Sequence, residues 1–220
     1  MWLNRPRSNG PMEPSAVPAL PPLLDLAGIA VFALSGALLA TRLRQTIVTV
    51  AFFALVTGVG GGTVRDLLID APVFWVHDPW VAPVILFTAL IAWFTPIHWW
   101  EGKLLDWADA VGLAVYSTLG TAKALAFGVQ PVPAMLMGVI TGCVGGIIRD
   151  VLAGQPSILM RPEVYVTPAA LTAALCAGGA VLGLPNIVSW TVAAVAGFAL
   201  RGAAITYGLE LPSYSRDKRK

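Results

Sequence analysis

Thr57-Gly58-Val59-Gly60-Gly61-Gly62-Thr63-Val64-Arg65-Asp66-Leu67-Leu68 returns 84 residues later as Thr141-Gly142-Cys143-Val144-Gly145-Gly146-Ile147-Ile148-Arg149-Asp150-Val151-Leu152. Glycines followed by an Arg-Asp pair are unusual in an apolar chain, and here they occur twice. Inside a helix each glycine costs about 1 kcal/mol relative to alanine. A run of them marks a place where a helix bends or breaks, or where another backbone comes close. Both stretches read as interrupted, kinked membrane helices lining one polar path, with Gly60, Gly61 and Gly62 at one break and Gly145 and Gly146 at the other.

The duplication is wider than these stretches. Asp25, Gly28 and Gly36 match Asp109, Gly112 and Gly120 at the same offset of 84, Phe32 pairs with Tyr116, and Pro72 pairs with Pro156. Matching Ala and Val carry little weight in so apolar a chain. Asp, Gly and Arg-Asp identities in unbroken register carry much more. With three spans in each copy, an odd number, the second copy enters the membrane from the opposite side. This inverted arrangement places a solute or ion path at the interface between repeats.

Composition sets the class. The 220 residues are 57% hydrophobic and 12% charged, with mean hydropathy +0.76. A soluble domain carries about 25% charge, so an all-α integral membrane protein is expected. Seven spans approach the roughly 20 apolar residues a bilayer requires: 23–41, 47–69, 80–100, 109–127, 132–153, 164–184 and 187–209. Residues 1–22 are a Pro-rich lead-in, and 210–220 form a basic tail. Between them lie repeat one (about 23–101), repeat two (about 107–185) and a seventh helix (about 187–209). Arg42, Arg44, Lys103, Arg149, Arg161 and the tail Arg216, Lys218, Arg219 and Lys220 fall on one side, against Arg5, Arg7 and Arg65 on the other. The richer side is expected to be cytoplasmic, leaving the N-terminus outside.

The polar residues within these spans are the candidates for function. Arg65 with Asp66, and Arg149 with Asp150, read as charged constrictions, one towards each mouth of a path. Interfacial snorkelling is the competing account. Lys123 stands about 20 Å along the fourth span, where a cation needs water or a partner. It reads as a pore-facing plug. Ser35, Thr57, Thr118, Thr121 and Thr141 offer hydroxyls, although most such groups bond to their own helix. Asp25 and Asp109, at matching span starts, read as helix N-caps. Gly58 with Gly62, and Gly142 with Gly146, also have the spacing of close helix packing. The glycines at 178–179 and 197–202 read as packing alone.

Enzyme motifs are missing: there is no phosphate loop, no His-Glu-x-x-His and no Gly-x-Ser-x-Gly. Cys143 and Cys176 lie in apolar runs remote from His77 and His98, so no metal site or cofactor is expected. Nor does any basic block with aromatics point to nucleic acid.

With these residues assembled, the chain resembles the prokaryotic branch of the trimeric intracellular cation channel family, some of whose bacterial members are described as glycine transporters. The resemblance covers about residues 23 to 209. It rests on the two half-repeats, Gly60-Gly61-Gly62-Thr63-Val64-Arg65-Asp66, Gly145-Gly146-Ile147-Ile148-Arg149-Asp150, and Pro72-Val73-Phe74-Trp75. It implies seven helices in an inverted three-plus-three repeat, a homotrimer in the lipid bilayer, and an ion path within each protomer. It also implies kinks at the glycines of the second and fifth spans and a gating role for Lys123. The Lys-Glu-Val motif of animal members is replaced here by glycines. The resulting expectation is a channel for monovalent cations, potassium foremost. A secondary transporter of a small zwitterion such as glycine is the alternative, and a non-conducting scaffold fits charges at membrane depth poorly.

Overall fold

The computed structural model describes residues 22–100, 102–160 and 164–212. The lead-in at 1–21, Arg161 and the tail from 213 onward lie outside the described residues. Those described form an all-α chain: α1 Pro22–Arg42, α2 Ile47–Leu68, a single turn α3 Phe74–His77, α4 Val81–Phe94, α5 Leu104–Ala126, α6 Pro131–Leu152, α7 Val166–Val181 and α8 Asn186–Tyr207. Short 3₁₀ turns occupy Ile97–Trp100 and Ile158–Met160.

Local chemistry sets these ends. Thr46 caps α2 by accepting the Thr49 N–H at 3.3 Å. Pro131 opens α6 at a position where its missing N–H costs nothing. Gly208 closes α8 with φ of 63°, a left-handed geometry that glycine adopts without steric penalty. α4 stops six residues before the expected limit because Pro96 follows. Thr95 is driven into extended backbone (φ −85°, ψ 133°), as residues before proline are. α5 begins at Leu104 with Lys103 at its cap position, so Asp109 lies inside the helix. The N-cap reading of Asp109 is therefore corrected. Asp25 likewise sits within the first turn of α1 rather than at its cap.

The expected interruption at the glycines is not found. α2 and α6 run as unbroken helices through Gly60–Gly62 and Gly145–Gly146. The reason lies in what packs against them. A methyl group on Gly61 would strike the Thr141 carbonyl oxygen, and one on Gly145 would stand 2.6 Å from the Thr57 carbonyl oxygen. The glycines bring two backbones together, and the helical hydrogen bonding survives.

These contacts also fix direction. On α2 the order 57, 61 meets 145, 141 on α6, so the two helices are antiparallel. α1 and α5 repeat the pattern: Gly28 packs on Tyr116 and Gly112 on Phe32, with the Phe32 and Tyr116 rings 5.1 Å apart between them. Each contact has its mate 84 residues away, which is the reciprocity of a twofold interface. Equivalent helices thus run in opposite directions, an inverted repeat. α1 packs on α2 and α4, α5 packs on α6 and α7, and α8 adds to α5 and α7 without a counterpart in the first repeat.

Charge and oil are distributed inside out. Val48, Phe52, Leu67, Phe87, Phe94, Val132, Leu136 and Val195 face outward, while Arg65, Asp66, Asp109, Arg149, Asp150 and Arg201 are buried. Such a surface suits hydrocarbon rather than water. α1 (over Asp25–Arg42), α2, α6 and α8 are long and apolar enough to cross a membrane; α4 and α7 are shorter apolar helices. α5 has the length but carries Asp106, Asp109 and Lys123.

Candidate functional site: two charge centres beside a glycine crossing

Because α2 and α6 are antiparallel, their Arg-Asp pairs lie on opposite sides of the Gly61–Gly145 crossing. The two aspartates are about 20 Å apart along the helix pair, at 1.5 Å per residue. Each arginine grips the aspartate that follows it. Arg65 Nε and Nη2 reach Asp66 Oδ1 at 2.8 and 2.7 Å. Arg149 Nε and Nη2 reach Asp150 Oδ1 at 2.9 and 2.9 Å. The second oxygen of each carboxylate holds the chain that follows: Asp66 Oδ2 accepts the Phe74 N–H at 3.0 Å, and Asp150 Oδ2 accepts the Ile158 N–H at 2.8 Å. Charged, buried and multiply bonded, these aspartates anchor the connecting segments firmly.

Beyond that shared frame the centres differ. Lys123, three residues from the end of α5, places Nζ 2.8 Å from Asp66 Oδ1 with only 15% of its side chain exposed. Arg149 Nη1 reaches Asp109 Oδ1 at 2.8 Å and donates to Ser35 Oγ at 3.1 Å. Each centre therefore receives a side chain from the other repeat: Lys123 of α5 joins the α2 pair, and Ser35 of α1 joins the α6 pair. Among bonded groups the first centre holds two cations and one carboxylate, the second one cation and two carboxylates. Asp25, the mate of Asp109, faces Arg65 and Lys123 without bonding to either.

Of the hydroxyls expected to serve a path, Thr121 and Thr118 donate to their own helix, at Ser117 O (2.8 Å) and Ala114 O (2.9 Å). Thr141 does the same at Met137 O (2.5 Å). Thr57 Oγ1 is buried at the crossing with no hydrogen-bond partner among the described residues. Asp25 is partly buried and lies within electrostatic reach of Arg65, Lys123 and Asp66 in the first centre, but among the described residues it has no ion pair within 4 Å.

A family model described as Glycine transporter matches residues 22–96 and again 106–180. The chain belongs to this family. The two matches are themselves offset by 84 residues, so the family's unit is the half-repeat, used twice. A UPF0126 membrane protein of Vibrio cholerae is 38% identical over 89% of this chain and 83% of its own. The UPF0126 inner membrane protein YadS of Escherichia coli is 38% identical over 89% of this chain and 96% of its own. Among solved structures, the TRIC trimeric intracellular cation channel orthologue from Rhodobacter sphaeroides aligns with TM-score 0.79 at 38% identity. That alignment covers 85% of this chain and 97% of the other. A structure described under conductance through TRIC cation channels aligns with TM-score 0.79 at 27% identity, covering 90% and 98%. The resemblance read from the glycine and Arg-Asp runs is thereby met.

Within this family fold, three residues join the site that their sequence positions did not announce. Phe74 lies against Gly62 and near Arg65 and Lys123. Arg201 on α8 is fully buried, donates to Val164 O at 3.0 Å and lies 5.3 Å from the centre of the Tyr165 ring. The Tyr165 hydroxyl in turn borders Gly146 beside Asp109 and Arg149. Arg201 had a visible signal, a cation deep in an apolar helix, the same one that singles out Lys123. Phe74 stands in the run at 72–75 that helps carry the resemblance, but nothing in that run marks its place beside Arg65 and Lys123. Tyr165 looks in sequence like any other aromatic.

Proposed function

We propose that this protein is a passive channel for monovalent cations, potassium foremost, with one path inside each protomer of a homotrimer. Seven helices, α1, α2 and α4 to α8, cross the membrane, with the N-terminus outside and the C-terminus cytoplasmic. The observation that carries this reading is the α2–α6 crossing, closed by glycine at its centre and bounded at each end by a charge centre. A gap too narrow for a methyl group admits no ion, so the present conformation is shut at Gly61 and Gly145. Opening consists of bending α2 and α6 at Gly60–Gly62 and Gly145–Gly146, where the backbone yields most readily. Lys123 acts as the plug at the first mouth, because a fixed cation held on Asp66 blocks the approach of another. The likeness to two cation-channel structures supports the same reading.

The family description favours a second reading, transport of glycine. The cations of the first centre suit a carboxylate, and the paired carboxylates of the second suit an ammonium. Yet the two lie about 20 Å apart, far beyond the length of one small zwitterion, so a single bound molecule cannot use both. The deciding experiment is the purified protein in a planar bilayer under a potassium gradient, beside Lys123→Ala. Unitary currents reversing with that gradient, and altered gating in the variant, are expected. Saturable glycine counterflow without unitary currents would replace the channel. Conductance and gating untouched by Lys123→Ala would remove the plug.

A further inference from the structure

Phe74 occupies the point where every element of the first charge centre meets. Its backbone N–H is held by Asp66 Oδ2 at 3.0 Å. The edge of its ring fills the notch that Gly62 leaves: a methyl there would lie 2.6 Å from Phe74 Cε1. The ring centre stands 5.9 Å from the Arg65 guanidinium and 5.8 Å from Lys123 Nζ. Trp75, the next residue, ties the same turn to α2 by donating Nε1–H to Thr63 Oγ1 at 2.9 Å. One carboxylate, Asp66, thus holds both cations through Oδ1 and the Phe74 backbone through Oδ2.

We infer that Phe74 is a shutter at the first mouth, kept closed by the attraction of its ring face for Arg65 and Lys123. The inference rests on the channel reading above. Aromatic rings attract cations through their quadrupole within about 6 Å of the centroid. Both cations sit inside that distance, and both also share Asp66. Withdrawal of Lys123 therefore removes one of the two ring contacts and one of the bonds on Asp66 in a single movement. The glycine notch admits the edge of the ring against α2; any larger residue at 62 would hold it off. The second centre lacks such a device. The position equivalent to Phe74 is Ile158, which keeps the backbone bond to its aspartate, at 2.8 Å, but has no ring. The shutter belongs to one mouth alone.

The test replaces Phe74 by mono-, di- and trifluorophenylalanine in the full-length protein, recorded in planar bilayers with potassium chloride. Fluorination drains the ring face of negative charge and leaves its shape almost unchanged, so folding is preserved. Open probability is expected to rise stepwise across the series, by roughly two- to fivefold in all for a weakened ring contact. Phe74→Leu, which keeps the bulk and loses the ring, is expected to match the trifluoro form. The same fluorinated series at Phe32, away from the mouth, is expected to leave gating unchanged. If wild type conducts and the Phe74 series is flat, the shutter is overturned while the channel stands. If wild type shows no unitary current, the channel reading fails first.

Discussion

The two Arg-Asp centres descend from one duplicated unit and now do different things with the same frame. Each arginine holds the next aspartate, and each aspartate holds the backbone eight residues on. Around the second centre, Asp109, Ser35 and Tyr165 close in until Arg149 is 2% exposed. Around the first, the third group is Lys123, a long flexible side chain still 15% exposed. On the channel reading proposed above, the contrast separates two tasks: the α6 centre is a fixed joint between repeats, and the α2 centre a contact that can be released. Duplication supplied the frame, and the divergence lies in what each frame recruited from the neighbouring repeat.

That contrast can be broken, most severely at the arginines. Arg149→Met leaves Asp109 and Asp150 buried without their cation, and truncating one partner of a buried pair costs about 3–5 kcal/mol. Arg65→Met leaves Asp66 its Lys123, so a clearly smaller loss is expected. Thermal unfolding of the two variants in detergent decides it; equal losses would erase the distinction between joint and release.

Gly61→Ala and Gly145→Ala sharpen the part that is shared. Each methyl meets the other helix's threonine carbonyl, and overpacking of this kind costs about 1–3 kcal/mol. The two shifts in melting temperature should agree, and a large difference between them would refute the twofold crossing. Ser35→Ala removes one charge-assisted bond from the fixed joint, an expected loss of about 1.5 kcal/mol, read as a lowered melting temperature with gating unchanged. Thr63→Val, which frees the Trp75 indole on an exposed face, should lower stability least, by about 0.5 kcal/mol. Its effect should appear in channel closing rather than in melting.

How much of this was legible in the residues depends on whether the signal was local. The duplication was plain because Asp, Gly and Arg-Asp identities recur at one spacing. Inversion followed from counting spans, and the antiparallel contacts of Gly28, Gly61, Gly112 and Gly145 agree with it. The glycines were read as breaks because composition describes a helix's own flexibility and not what packs on it; at Gly61 the neighbour is a carbonyl oxygen, and the helix stays whole. Asp109 passed for a cap because α5 starts five residues earlier, at Leu104, than the apolar run suggests. Lys123 was recognisable by depth, but its partner on α2 is 57 positions away, a distance no periodicity bridges. Arg201 carries the same depth signal, masked by the small residues around it on α8.

One consequence of the antiparallel crossing concerns the field along it. α2 and α6 each end at their own charge centre, with Arg65 and Arg149 in the last turns. A helix C-terminus carries the equivalent of about half a negative elementary charge. Two opposed helices therefore present the same negative pole at both ends of the crossing, and their dipoles cancel at the midpoint. Each pole faces the arginine of its own helix, Arg65 or Arg149, and so helps to hold that buried cation in place.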